Sequence, residues 1–261
     1  MAHVQLDPFV DGADRARILR GVAVQTYAPR AAELAGMLGF ETIWIDVEHG
    51  PASYTEVETL LMAAESAGCI ATVRIPNNER EHILRALEVG TQILVVPMID
   101  TAEQAEQIVR FGKFPPLGRR GFNLRSRGLQ YGLSQSGSAL DEGNQHTHLF
   151  AQIESLEAVA NVAAICQVEG LAGIVVGPGD LSADMGRPGQ FDDPELIATV
   201  ESIMRMARAL GKHAGLVVGP GPLLDAALVA GCDLTYCGSD VGSLSSAWQR
   251  LLAKIPSQPT R

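Results

Sequence analysis

Eight short apolar runs, each followed by a stretch with helical spacing of its apolar side chains, constrain this chain more than any other feature. The runs fall at 20–24, 42–46, 70–74, 92–96, 149–154, 173–176, 213–217 and 233–237. Runs of this length and character read as buried strands. Between them, 28–38, 55–67, 80–87, 102–111, 155–169, 193–210 and 222–230 read as helices. Eight parallel strands alternating with helices in 261 residues favour an α/β fold of the (β/α)8 barrel type over an open doubly wound sheet. No GxGxxG follows the first run to support a dinucleotide fold. No Ser-, Pro- or acid-rich linker divides the chain, so 1–261 reads as a single domain.

Composition narrows the function. Hydrophobic residues make up 46% and charged residues 19%, as in a globular protein. The formal net charge of -10 argues against nucleic acid, which needs a basic footprint. An anionic small substrate remains open, because a site can concentrate arginines locally. No run reaches the length of a membrane span, and residues 1–12 show no leader signal. Cys69, Cys166, Cys232 and Cys237 lack metal-finger spacing and read as reduced thiols of a cytoplasmic protein.

One connection breaks the rhythm. Residues 112–148 form a long link between the fourth and fifth runs, carrying Phe114-Pro115-Pro116, Arg119, Arg120, Asn123, Arg125, Arg127 and Tyr131. Long loops inside compact domains tend to be functional. Substrate contact and a solvated or subunit-contacting loop are equally open readings for its arginines.

In a barrel, chemistry gathers at the C-terminal ends of the strands. Those ends carry Asp46, Glu48 and His49 after the second run, Arg74 after the third, Glu154 after the fifth and Asp180 after the sixth. Neighbouring strands lie about 4.8 Å apart, so Glu154 and Asp180 could share one divalent cation. Singly, each is better read as a helix-start residue; together with the other polar ends, the metal reading gains. Oxygen-only ligation points to Mg2+ or Mn2+. Zinc chemistry is disfavoured, because His146 and His148 precede the fifth run and belong to its opposite end.

The remaining roles follow from residue type. Arg74, held on an apolar strand, could fork onto a keto or carboxylate oxygen; a strand-end salt bridge is the alternative. His49 follows Asp46 closely, and a histidine oriented by a carboxylate can pass a proton near neutral pH; a capping or core histidine is the plainer option. Gln152 shares the parity of Glu154 and is expected to bind a metal-bound water or the substrate. In Gly177-Pro178-Gly179-Asp180 the glycines allow close approach, and a helix opening there offers free N–H groups to a substrate carboxylate. No lysine stands at a strand end to form a Schiff base.

These residues resemble the HpcH/HpaI family of class II, metal-dependent pyruvate aldolases over nearly the whole chain. The resemblance rests on Ile45-Asp46-Val47-Glu48-His49-Gly50-Pro51, Val73-Arg74-Ile75-Pro76, Val89-Gly90-Thr91-Gln92, Val95-Val96-Pro97-Met98, Phe114-Pro115-Pro116 through Arg120-Gly121, Ala151-Gln152-Ile153-Glu154 and Gly177-Pro178-Gly179-Asp180-Leu181-Ser182. It implies that Glu154 and Asp180 ligate a divalent metal, Mg2+, Mn2+ or Co2+. It also implies that His49 takes part in proton transfer with Asp46 nearby, that Arg74 stabilises an enolate, and that amides around Gly179 and Asp180 hold the substrate carboxylate.

The implied reaction is reversible cleavage of a 4-hydroxy-2-oxo acid to pyruvate or hydroxypyruvate and an aldehyde. The implied assembly is a homo-oligomer, a hexamer in the family, with a C-terminal helix after Asp240 exchanged between subunits and Glu88 at a position that reaches a neighbour's site. A related lyase or decarboxylase acting on oxaloacetate or a malyl-CoA type thioester is the rival, although no adenine or pyrophosphate site is legible. A non-catalytic barrel that binds a 2-oxo acid is the alternative from another class. Val47 stands where the family often has Gly, and Gly50 and Gly179 where it often has Ala, which bears on the acceptor and the shape of the carboxylate pocket.

Overall fold

The computed structural model describes residues 7–10, 16–133 and 139–255. Its strands are β1 (Leu19–Ala23), β2 (Thr42–Asp46), β3 (Ile70–Arg74), β4 (Ile93–Val96), β5 (His148–Ile153), β6 (Gly173–Val176), β7 (His213–Val217) and β8 (Leu234–Ser239). Its helices are α1 (Pro29–Met37), α2 (Tyr54–Ser66), α3 (Arg80–Glu88), α4 (Ala102–Gly112), α5 (Ala139–Gln145), α6 (Leu156–Gln167), α7 (Pro178–Asp184), α8 (Pro194–Ala209), α9 (Pro222–Val229) and α10 (Asp240–Leu252). Each strand pairs in parallel with the next, and β8 closes on β1. The expected barrel is what forms.

Two expectations change in detail. The fifth strand ends at Ile153, leaving Glu154 one residue beyond it. The connection 112–148 is not one long loop: it contains a 3-10 stretch at Arg127–Gly132 and then α5. Within it, 134–138 lie outside the described residues, as do 1–6 and 11–12 of the stretch read for a leader.

Strand parity explains how this frame positions a site. Alternate residues such as Ile43, Ile45, Val73, Val96, Ala151, Ile153 and Val176 face outward and pack with helix residues into one large core. The intervening residues, among them Trp44, Ile93, Val95, Phe150, Val175 and Tyr236, pack inside the barrel as a separate cluster. Polar groups inside are satisfied by one another: the Tyr236 hydroxyl donates to Thr72 Oγ1, which lies 3.2 Å from Thr42 Oγ1. Continuing the inward parity to the C-terminal strand ends reaches Asp46, Arg74, Gln152, Glu154 and Gly177. The barrel is thus packed with apolar side chains below and lined with polar ones at its mouth.

Local signals fix the helices that hold these ends. α2 begins with a capping box, Ser53 and Glu56, and α4 with another, Thr101 and Gln104. Ser155, not Glu154, caps α6, accepting from Ala158 N. Glu154 is therefore released from the helix-start role.

All four cysteines are free thiols. Among the described residues no helix is long and apolar enough to cross a membrane. Helix α10 differs from the others in having no buried residue.

Candidate active site

Asp46 and Arg74 are paired across the β2–β3 register. Arg74 donates from Nη2 to Asp46 Oδ2 at 2.6 Å and from Nε to Asp46 Oδ1 at 3.1 Å, a two-pronged pair with both side chains largely buried. Asp46 Oδ1 also accepts from the backbone N–H groups of Glu48 at 3.1 Å and His49 at 3.3 Å. The Trp44 ring lies under the guanidinium, 5.4 Å from its centroid. Burial disfavours the Arg74 charge, but Asp46, Glu48 and Glu154 outweigh it and hold the guanidinium above its ordinary range. Arg74 is a fixed cation.

The expected carboxylate partner of His49 is corrected. Asp46 is occupied by Arg74 and by two backbone N–H groups, so it orients the His49 backbone and not the ring. The carboxylate beside the ring is Glu48, with Oε2 3.9 Å from His49 Nε2. That Oε2 is buried, lies 3.0 Å from Arg74 Nη1 and has no aligned hydrogen bond. Burial pushes the Glu48 carboxyl upward, Arg74 and His49 oppose this, and Asp46 and Asp180 add to it. The His49 side chain is 65% exposed, open to the mouth of the barrel.

Glu154 is 3% exposed. Its Oε1 accepts from Met98 N at 2.7 Å, and its Oε2 accepts from Gln152 Nε2. Gln152 gives one of its two amide N–H donors to Glu154, so it also orients that carboxylate, while its buried Oε1 has no partner among the described residues. Met98 supplies its N–H from a left-handed conformation, φ 54°, that is uncommon for a residue with a side chain.

Asp180 and Gly179 are not strand-end residues. Both lie in the first turn of α7 and are exposed. Glu154 and Asp180 nonetheless share a field, because Asp180 and Glu48 both raise the Glu154 carboxyl, adding to burial, the largest influence; Gln152 and Met98 oppose.

The glycines divide their roles. A side chain at Gly179 would meet nothing within 4 Å, whereas a Cβ at Gly177 would lie 2.6 Å from Glu154 Oε2 and 2.8 Å from Gln152 Nε2. The φ of −94° at Gly177 suits any residue, so space and not conformation requires glycine there. Gly177→Ala is expected to lower kcat/KM by about 10²-fold, the cost of displacing a reacting constellation by roughly 1 Å. Unchanged kinetics in a folded variant would show that the carboxylate has room to spare.

The donor set fits a divalent cation. Three carboxylates, Glu48, Glu154 and Asp180, repel one another at a mouth where two are raised by burial, and a cation relieves that repulsion. No three His, Cys, Asp or Glu residues among the described ones cluster tightly enough to hold a metal alone. Glu154 and Asp180 would supply two ligands and leave the rest to solvent and substrate.

Burial has a consequence for stability. A carboxyl raised above its unfolded value of 4.5 binds more protons in the native state between the two values. Its contribution to stability therefore falls as pH rises through that interval. In metal-stripped protein, Glu154→Gln is expected to melt increasingly above wild type as pH rises from 4.5 toward neutrality. Paired thermal melts in EDTA measure the gap, and a pH-independent gap would contradict the burial argument.

The closed barrel and the polar ring at its mouth define a TIM-barrel enzyme whose site combines a fixed arginine with clustered carboxylates. Residues 21–247 match the HpcH/HpaI aldolase/citrate lyase family, and the chain belongs to it. It is 35% identical over 223 residues to the 5-keto-4-deoxy-D-glucarate aldolase of Klebsiella pneumoniae, covering 85% of this chain and 86% of that one. It is 34% identical to the hydroxypyruvate/pyruvate aldolase of Cupriavidus necator, covering 92% and 89%. The crystal structure of an HpcH/HpaI aldolase from Desulfitobacterium hafniense superposes with a TM-score of 0.83 at 27% identity, over 93% of this chain and 96% of that one.

Two features of the site had no role assigned from sequence. Glu48 was noted at a strand end without a role, and its position was settled by the turn after β2. Met98 stood within a family motif without a role, because its contribution is a backbone N–H. Gly177 reads in sequence as allowing close approach of a ligand, and the room it leaves is for Glu154 and Gln152.

Proposed function

We propose that this chain is a divalent-metal-dependent aldehyde-lyase that reversibly cleaves a 4-hydroxy-2-oxo acid to pyruvate or hydroxypyruvate and an aldehyde. The observation that carries this reading is the arrangement of the Asp46–Arg74 pair and buried Glu154 on the inward side of one barrel mouth, with Gly177 leaving the room. The cation held by Glu154 and Asp180 would supply Lewis-acid stabilisation of charge developing at the 2-oxo group.

The chain's own residues do the rest. Asp46 occupies two of the five N–H donors of Arg74 and Glu48 Oε2 lies 3.0 Å from its Nη1, so the guanidinium is a fixed positive charge whose remaining donor capacity would stabilise charge developing on the same oxygen. His49, exposed beside Glu48, takes the proton of the 4-hydroxyl as the C3–C4 bond breaks, a step worth about 10²- to 10⁴-fold. The electron pair passes into the enolate of the 2-oxo acid, and the aldehyde leaves. Gly179, open on α7, leaves space for the substrate carboxylate. Mg2+, Mn2+ and Co2+ all suit the oxygen donors.

Exchange of deuterium from solvent into the pyruvate methyl group tests this directly. Wild type is expected to exchange with one of the three metals and Glu154→Gln is not. Exchange by neither protein would favour a barrel that binds 2-oxo acids without catalysis.

The assembly reading is a homo-oligomer, hexameric by family resemblance, that exchanges α10. It is supported by the apolar side chains α10 leaves uncovered, with Trp248 64% and Leu252 71% exposed. Trp248→Asp is expected to lower the sedimentation coefficient if a second copy covers that face. Free thiols and the lack of a membrane-crossing helix among the described residues support a cytoplasmic setting.

A further inference from the structure

The end of β2 lacks a rung that its ladder calls for. Val24 N donates to Trp44 O at 2.9 Å, and bonds in a parallel ladder recur at every second residue, so the next pair due is Thr26 N with Asp46 O. Thr26 N goes elsewhere. It donates to Asp240 Oδ2 at 3.1 Å, Gln25 N donates to Asp240 Oδ1 at 2.8 Å, and the Thr26 hydroxyl also donates to Asp240 Oδ2. The first residue of α10 thus draws the β1–α1 loop away from β2.

A side chain takes the missing place. Tyr27 adopts φ 53°, a left-handed conformation uncommon for a residue with a side chain, and its hydroxyl donates to Asp46 O at 2.9 Å. Its ring is half-buried against the core. Backbone strain of this kind persists only where the surroundings impose it, and here Asp240 holds the loop on one side while Asp46 O holds the side chain on the other. Gly50 gives the hydroxyl its room, because a Cβ there would overlap Tyr27 Oη and crowd Asp46 O. Burial, and then Asp46, Asp240 and Glu56, push the phenol above its ordinary range, which keeps the proton available for this bond.

What the hydroxyl holds is the turn that carries chemistry. The peptide joining Asp46 to Val47 is gripped from both sides: its N–H donates to Arg74 O at 2.9 Å, and its C=O accepts from Tyr27. Glu48 and His49 follow, with N–H groups that reach back to Asp46 Oδ1 at 3.1 and 3.3 Å. The His49 side chain is 65% exposed, so packing does little to orient the ring. Its direction depends on the backbone beneath it.

We propose that Tyr27 is a positioning residue for the proton transfer by His49, fixing the turn 46–50 through the hydroxyl bond to Asp46 O. In this role it acts through His49 and not on the substrate. The step that His49 performs rests on the lyase reading, whereas the hold on the turn rests on the hydrogen bonds alone.

Tyr27→Phe keeps the ring and removes the hydroxyl, and two measurements on the full chain test the proposal. Amide hydrogen exchange is expected to quicken about tenfold at Glu48 and His49 and to stay unchanged in α2. Cleavage of a 4-hydroxy-2-oxo acid is expected to lose about tenfold in kcat, with KM changed by less than about twofold, as for a misplaced proton acceptor. Oxaloacetate supplies the control. Breaking its C3–C4 bond releases CO2 and leaves the same enolate, with no 4-hydroxyl proton to remove, so its decarboxylation in Mn2+ is expected to change by less than about twofold. An equal fall in both reactions, or unchanged exchange at residues 48 and 49 in the folded variant, would overturn the proposal. A wild type that turns over neither acid, with the exchange pattern present, would sink the lyase reading and leave the hold on the turn standing.

Discussion

Glu154→Gln is expected to lower kcat/KM by roughly 10³-fold, equivalent to several kcal/mol of lost transition-state stabilisation, while the protein stays folded. The amide oxygen can still accept from Met98 N, so the loop after β4 keeps its anchor. What disappears is a carboxylate charge held in a desolvated place among Glu48 and Asp180. Removing that charge relieves repulsion, so the variant is expected to match or exceed wild type in Tm, the usual trade between stability and a strained site. Steady-state kinetics and a thermal melt on one preparation check both halves. Loss of fold together with activity would instead mark Glu154 as a structural residue.

Arg74→Met carries the second large effect, and here activity and stability fall together. The Arg74 and Asp46 side chains are 12% and 13% exposed, so solvent screens their interaction little. Removing one partner leaves a buried carboxylate unpaired, at a cost of about 3–5 kcal/mol in urea denaturation. Activity is expected to drop by about 10²- to 10³-fold, as on removing one donor to developing negative charge. The double variant Asp46→Asn with Arg74→Met separates the two losses, because it removes both charges. It is expected to recover part of the stability and none of the activity. Recovery of activity would show that Arg74 serves only to neutralise Asp46.

Much of this arrangement was legible beforehand. The eight strands and their parallel order follow from run length and helical spacing, since a parallel sheet covered by helices admits little else. Arg74 and Asp46 could be placed at strand ends because each terminates an apolar run. The partner of each side chain could not. Asp46 to His49 looks like a carboxylate-histidine pair in sequence, yet the turn after β2 brings Glu48 to the ring and gives Asp46 to Arg74 on the adjacent strand. A register contact between residues 28 positions apart is invisible to local pattern. Asp180 reads in sequence as following the end of the sixth apolar run, with a helix opening nearby; Pro178 starts α7 immediately, a position its fixed φ favours, and so places Asp180 in that helix's first turn.

By itself the sequence determined the barrel, the inward parity of Asp46, Arg74, Gln152 and Glu154, and the family, because side-chain alternation and apolar periodicity are local properties of the chain. Only the tertiary structure decided that Met98 gives a backbone N–H to Glu154 from 56 residues away, that Gly177 must be small, and that buried Lys113 lies close enough to Arg120 for that cation to lower its ammonium further. The physical reason is common to all three. Desolvation and close approach depend on which surfaces meet when the sheet closes, and that is fixed by distances across the barrel and not by order along the chain.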